Sequence, residues 1–296
     1  MPTTTNAVIA LTTDNRVAAM IARAALSFVL AFFSVSPPHA VAGSGAKPLP
    51  FKAGERFAYD ITWMGILGGE AVLGVRNDAA PGGPAALTVY LDAKSVGWVH
   101  TLYTVDDRSL SFFDTAGLYS SGVDIRISEN SYTKRKRIDF DHGRGVAIYR
   151  VDNDAPKEYP IDPGTLDAFS VMYAYRAARE RVRVGEELSF PIFDDRKKYM
   201  LKIRALRKER ILVKGGYVDT IVAEPALMSE GIFQRRGKMT IWFSDDEAFA
   251  PVMMKSKVVF GSFWATLREW SGAEIKIIPV EPEKDKTASA VEGSVK

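Results

Sequence analysis

Cysteine is missing from the 296-residue chain, and histidine is scarce. Without cysteine there can be no disulfide, no thiolate catalysis and no lipid attached to an N-terminal cysteine. The three histidines, His39, His100 and His142, are widely scattered, which argues against a zinc site or a Ser-His-Asp triad. We therefore expect no metal and no cofactor.

An excess of charge of one sign is also lacking, because 39 lysines and arginines nearly balance 36 aspartates and glutamates. A formal net charge of +3 is too small to indicate a nucleic-acid partner. The basic run Lys134–Arg137 is diluted by Glu129, Asp139 and Asp141. Such a run is typical of a solvated strand whose charges discourage pairing with other chains.

A long apolar run is found only near the N-terminus, where Arg23 precedes the apolar segment Ala24–Phe33. The segment is too short to span a bilayer comfortably, and the small residues Ala40–Ala42 follow it. This pattern predicts a cleavable signal peptide over residues 1–42 and export to the periplasm. An anchor that is never removed is the alternative. Residues 43–50 are predicted to form a linker, and no later segment is apolar enough to cross a membrane.

Residues 51–275 are predicted to form a single β-rich domain. In its first hairpin Tyr59, Ile61 and Trp63 alternate with smaller or polar residues, and glycines then allow the backbone to reverse. Similar strand-and-turn patterns continue along the domain. The Pro-, Glu-, Lys- and Ser-rich end, residues 276–296, is predicted to be disordered.

Two features recur at nearly constant separation. Gly54-Glu55 and Gly185-Glu186 are 131 residues apart, and Phe112–Asp114 precedes the similar Trp242–Asp245 by 130 residues. An internal duplication of a β-meander would produce this spacing, and so would coincidence. The sequence leaves both interpretations open.

One convincing helix is predicted over Thr165–Arg183, with Thr165 as its cap and Asp167 at the positive end of the helix dipole. Leu166, Phe169 and Tyr173 lie on one side of it. Many strands and one helix predict a mainly β fold, in which a large curled antiparallel sheet forms an open or incomplete barrel and the helix packs into or across it.

Four segments together resemble a known family. They are Gly54–Gly69, Leu102–Asp107, Asp167–Arg176 and Ile241–Val252. Their order and spacing are similar to those of the exported bacterial proteins grouped as domain of unknown function 3108. The resemblance covers roughly residues 50–272 and implies a periplasmic, β-rich protein. It implies no activity and no cofactor.

The helix is the strongest candidate for a site, because Asp167, Ser170, Tyr173 and Arg176 follow one another at three-residue steps along one face. This stripe could border a ligand, could contain a nucleophilic serine, or could simply pack against the sheet. No histidine or lysine base lies within the motif, which favours packing. Acidic pairs such as Asp106-Asp107 are typical of turns and only weakly suggest calcium.

Aromatic residues are candidates to line an apolar hollow inside the curled sheet. With the stripe, the predicted ligand-binding residues are Trp63, Tyr103, Asp167, Ser170, Tyr173, Arg176 and Trp242. The leading hypothesis is a non-enzymatic periplasmic protein that binds a lipid or another amphipathic envelope ligand, or that supports envelope integrity. The alternatives are a hydrolase that uses the helix stripe and a module that binds an envelope protein along a strand edge.

Overall fold

The computed structural model describes residues 48–77, 86–227, 239–258 and 261–280 of the chain. The predicted signal peptide and most of the linker lie outside the described residues, as does the C-terminal tail from residue 281 onwards. Within the described residues the chain forms fourteen β-strands, two α-helices and one turn of 3₁₀ helix.

The elements follow one another in a regular order. The strands are β1 (Arg56–Trp63), β2 (Ile66–Arg76), β3 (Ala86–Ser95), β4 (Asp106–Asp114), β5 (Tyr119–Glu129), β6 (Tyr132–Asp141), β7 (Val146–Val151), β8 (Lys157–Pro160), β9 (Glu187–Asp194), β10 (Lys197–Val213), β11 (Gly216–Leu227), β12 (Met239–Ser244), β13 (Pro251–Lys257) and β14 (Ser262–Ser271). The helices are α1 (Gly97–Leu102) and α2 (Ser170–Ala177), and the 3₁₀ turn is Arg179–Arg181.

All fourteen strands belong to one antiparallel sheet. Its order is β8-β7-β6-β5-β4-β3-β2-β1-β14-β13-β12-β11-β10-β9, so β1 to β8 form one meander and β9 to β14 another. The two meanders join where β1 pairs with β14. Within the described residues β8 and β9 stay unpaired with each other, so the sheet is open, and the predicted mainly β fold with an open sheet is confirmed.

The first hairpin of each meander is built in the same way. Met64 and Gly65 join β1 to β2 with φ of 49° and 83°, and Asp195 and Arg196 join β9 to β10 with φ of 40° and 70°. Two-residue turns with positive φ at both positions match the right-handed twist of paired strands, so they favour tight hairpins. Only Gly65 among these four residues adopts that conformation without a steric penalty.

A six-stranded unit occurs twice. Strands β1 to β6 start at residues 56, 66, 86, 106, 119 and 132, and β9 to β14 start at 187, 197, 216, 239, 251 and 262, so every start recurs 130 to 133 residues later. The Gly54 N–H donates to Val75 O (2.9 Å), and the Gly185 N–H donates to Ala205 O (2.7 Å). The spacing seen in the sequence therefore corresponds to a repeated structural unit.

The predicted helix is shorter than Thr165–Arg183, and its start is a correction. Leu166 pairs in parallel with Ile192 and covers the free edge of β9, so the chain is extended there and α2 begins only at Ser170. Asp167, not Thr165, accepts the first free N–H groups. The structure also contains α1, a second and shorter helix, in addition to the one packed helix predicted from the sequence.

The ordered chain continues past the predicted boundary at residue 276. Tyr217 and Ile278 exchange both backbone hydrogen bonds at 2.8 Å, which adds a short bridge beside β11. Inside the sheet, side chains from both meanders pack around α2. Tyr173 and Tyr175 of α2 are completely buried there, together with Phe57 and Phe243 of the sheet.

Candidate functional site

A buried ion pair fixes α2 to the first meander. Arg176 and Glu55 both have no solvent exposure, and the guanidinium donates to both carboxylate oxygens (2.5 and 2.8 Å). It also donates to the carbonyls of Ala248 (2.8 Å) and Phe249 (3.0 Å), which lie between β12 and β13. A bidentate pair whose guanidinium also donates to backbone carbonyls is a strong contact, and this one ties the helix to both meanders.

Tyr173, one turn before Arg176, lies against the same carboxylate. Its hydroxyl donates to Glu55 at 3.4 Å, and its ring lies 5.1 Å from the guanidinium carbon. Burial is the largest cause that raises the pKa of Tyr173 well above its usual value, and the charge of Glu55 adds to it. The phenol therefore stays protonated and acts as a donor.

The start of α2 is held by a second buried network around Asp167. One carboxylate oxygen accepts from the hydroxyls of Ser111 (2.6 Å) and Ser120 (2.7 Å), and the other accepts from the N–H groups of Phe169 (2.7 Å) and Ser170 (3.1 Å). Four donors satisfy the carboxylate. The network joins the helix to β4 and β5.

Ser170 lies inside this network and is fully buried. Its hydroxyl contacts the Ser120 hydroxyl at 2.5 Å. His142 Nε2 lies 2.8 Å from the backbone carbonyl of Ser120, so the imidazole must donate there and does not contact either hydroxyl as a base. Among the described residues, the Ser170 hydroxyl contacts Ser120 and the backbone of Asp167, and no imidazole or amine lies against it.

An apolar cavity of about 140 Å³ lies beside the N-terminal half of α2. Both meanders wall it, and the residues around it are Tyr59, Ile61, Ala71, Leu73, Leu91, Ala93, Asp107, Ser109, Ile125, Ile127, Ala168, Phe169, Val171, Met172, Leu201, Ile203, Pro225, Met239, Ile241, Phe243, Met254 and Ala265. Engineered apolar cavities of similar volume stay dry and bind benzene-sized molecules. The size and lining suit an apolar group.

The cavity has a polar side on β4. Asp107 is 5% exposed, and its Oδ1 accepts the Ser128 N–H at 2.6 Å. Its Oδ2 is buried and has no hydrogen-bond partner among the described residues. Burial is the main cause that raises the pKa of Asp107 to about 6, with smaller contributions from Glu129 and Asp106. Ser109, two residues further along the strand, faces the same side.

Exposed apolar side chains surround α1 and the β1–β2 turn, and we call this surface the apolar rim. Its members are Met64, Ile66, Leu67, Trp98 and Leu102. Met64 is 68% exposed and Trp98 is 51% exposed. The Val96 N–H donates to Gly68 O at 3.1 Å, which holds α1 beside β2. The rim lies at the same strand ends as the cavity residues Ile61 and Ala93.

The seven residues predicted to bind a ligand are not among those that line the cavity. Asp167, Ser170, Tyr173 and Arg176 form the two buried networks, as described above. The three aromatic members are placed as follows: Trp63 stacks on Phe263, Tyr103 donates to Glu129 (2.5 Å), and Trp242 is buried against Trp264. None of the seven borders the cavity, and ligand binding by them stays a prediction.

Sequence reasoning predicted an apolar hollow but missed the residues that line the cavity, because most of them are ordinary aliphatic side chains. A signal was nevertheless present in β4, where Asp107, Ser109, Ser111 and Phe113 alternate on one face. The first three are polar and all four are buried. Buried polar side chains on one face of a strand indicate that this face forms hydrogen bonds inside the protein.

Comparisons with known proteins give a family match and similar folds. The family model described as protein of unknown function (DUF3108) matches residues 58–268. A search among curated proteins gives no significant match. Within the described residues, neither helix has the length and apolar character that crossing a bilayer requires.

Several solved structures are similar to the chain. A β-barrel-like protein of domain of unknown function DUF1849 from Brucella abortus matches with a TM-score of 0.51 and 10% identity, covering 77% of this chain and 100% of that one. A DUF1089 family protein from Pseudomonas aeruginosa gives a TM-score of 0.36, 8% identity, and 73% and 95% coverage. A Bacteroides fragilis protein with a YmcC-like fold, provisionally described as exported, gives a TM-score of 0.31 and 10% identity. The match covers 75% of this chain and 98% of that one. The first match supports a β-barrel-like fold.

Proposed function

The chain belongs to the DUF3108 family of proteins of unknown function, and we propose that it is a non-enzymatic protein that binds an apolar or amphipathic ligand. The apolar cavity between the two meanders is the observation that carries the proposal. An empty apolar space loses packing contacts, and an apolar ligand would restore them.

The apolar rim supports the same function. Exposed large apolar side chains that are grouped together favour contact with a lipid surface or an apolar partner. Because the rim lies at the strand ends next to the cavity residues Ile61 and Ala93, a ligand could pass between such a surface and the cavity over a short distance.

The envelope is the proposed place of action. The N-terminal sequence supports export, because a short apolar segment after Arg23 precedes small residues at Ala40–Ala42. A ligand carrier or a protein that supports envelope integrity fits that location. The non-enzymatic part of the proposal is supported by the burial of Ser170 and by the absence of a base at its hydroxyl in the described residues.

Native mass spectrometry of the protein purified from its own compartment tests this function. We expect a bound molecule that organic solvent removes. Ala93→Phe places a ring in the cavity and should abolish the bound mass, whereas Ala116→Phe, at an exposed turn, should leave it unchanged. A wild-type protein without any bound molecule, or equal retention by Ala93→Phe, would refute the proposal.

A further inference from the structure

Asp107 is the polar group that the fold leaves unsatisfied at the cavity. It borders the cavity, is 5% exposed, and has one oxygen without a hydrogen-bond partner among the described residues. A buried polar atom without a partner is costly, so native structures pair most such atoms with protein, water or a ligand. Among the described residues, one backbone donor contacts this carboxyl, the Ser128 N–H at the other oxygen.

The surroundings of Asp107 restrict which chemical groups can form a hydrogen bond with its Oδ2 atom. Glu129 and Asp106 lie near enough for their charges to act on the Asp107 carboxyl. A carboxylate or phosphate at this place would therefore meet like charges in a poorly solvated site. A hydroxyl or an ammonium group would donate to Asp107 Oδ2 instead, and Ser109 offers a second polar contact on the same face.

We propose that Asp107 and Ser109 form the head-group end of the ligand site, and that the ligand is amphipathic with a hydrogen-bond-donating head, an alcohol or an amine, in place of an anionic one. This inference rests on the proposed function. The aliphatic wall formed by Ile125, Ile127 and Ile203 holds the apolar part of the ligand. The head meets the one buried carboxyl that borders the cavity among the described residues.

Isothermal titration calorimetry with 1-octanol, octylamine and octanoate tests the inference, because the three share a chain length and differ in the head. We expect octanol and octylamine to bind and octanoate to bind at least about tenfold more weakly, as expected when a charge-assisted hydrogen bond is replaced by repulsion. Asp107→Asn should weaken octylamine about tenfold and relieve the discrimination against octanoate. Asp106→Asn, which removes the weaker of the two neighbouring charges from an exposed residue, should change both affinities by less than about twofold.

The outcomes separate this inference from the function it rests on. Equal binding of all three probes that is lost in Ala93→Phe would overturn the head-group assignment and leave the cavity function standing. Binding of none of the probes, together with unchanged ligand retention by Ala93→Phe, would overturn both. If Asp107→Asn fails to fold, the wild-type order of the three affinities still decides, and octanoate binding as tightly as octylamine contradicts the inference.

Discussion

The two meanders share a backbone and differ in the side chains that they direct inward. Gly54-Glu55 and Gly185-Glu186 make the same pair of backbone hydrogen bonds, yet Glu55 is buried against Arg176 and Glu186 is exposed. The chain supplies one α2 between the two units, so only one glutamate can find a partner in it. The two units therefore share a backbone path. They differ in the burial of the glutamate, which depends on how the connecting segment with α2 packs.

The same contrast appears at the cavity. With Phe113 of β4 aligned to Phe243 of β12, Ser109 corresponds to Met239 in the repeat. The inward face of β4 carries buried polar groups, whereas β12 presents Met239, Ile241 and Phe243 to the cavity. The first unit thus contributes the polar side of the cavity, and both units contribute apolar side chains to its wall. A repeated scaffold with unequal faces suits an amphipathic ligand.

The largest expected effect comes from removing the ion pair that only the first meander has. Arg176→Leu leaves the buried Glu55 carboxylate without its cationic partner and should lower the free energy of unfolding by about 3–5 kcal/mol. Glu186→Gln, at the equivalent exposed position, should change it by less than about 0.5 kcal/mol. Urea denaturation measures both, and similar losses in the two variants would contradict the comparison.

The shared backbone device predicts equal effects in the two units. Gly54 and Gly185 have φ of 93° and 92°, and an added Cβ would meet nothing within 4 Å at either place. Each Gly→Ala substitution should therefore cost about 1–2 kcal/mol through backbone strain alone. Gly143→Ala, where φ lies outside the left-handed region, is the control. Clearly unequal losses at residues 54 and 185 would show that the two turns are not equivalent.

The polar side of the cavity, on β4, should make the free energy of unfolding depend on pH. The apolar side chains of β12 should not. Burial raises the pKa of Asp107 from 3.8 to about 6, so the folded state binds this proton more tightly than the unfolded state. The resulting stabilisation is complete below about pH 4 and is lost as the pH rises through 6. Asp107→Asn removes this loss, which we expect to be on the order of 1 kcal/mol after screening by water in the cavity.

Denaturation of wild type and Asp107→Asn between pH 4 and 7 measures that difference, with Asp106→Asn as control. A constant difference across the range would contradict a proton-dependent contribution of Asp107.

The smallest effect is expected at Ser170. Ser170→Ala removes one hydroxyl from the network at the start of α2 and should cost about 0.5–1 kcal/mol, without altering ligand retention. The hydrolase alternative requires instead that a measurable turnover disappear while stability is kept. Turnover and unfolding measured on the same variant distinguish the two roles.

Much of the fold could be predicted because strand alternation and glycine turns are local signals. The helix start could not, since Leu166 pairs with Ile192 of β9 and this contact overrides the local capping signal of Thr165. Asp107 was interpreted as a turn residue because it follows Asp106. Its burial depends on β4 lying between β3 and β5, with Ser128 of β5 as the donor, and the alternation within β4 does not by itself show which face is buried.

A crystal structure of the protein purified from its own compartment would test the central claim most directly. We predict continuous electron density for an amphipathic molecule in the cavity between the two meanders, with a donor atom about 3 Å from Asp107 Oδ2. A cavity that holds only water, or a ligand whose anionic end faces Asp107, would contradict the account.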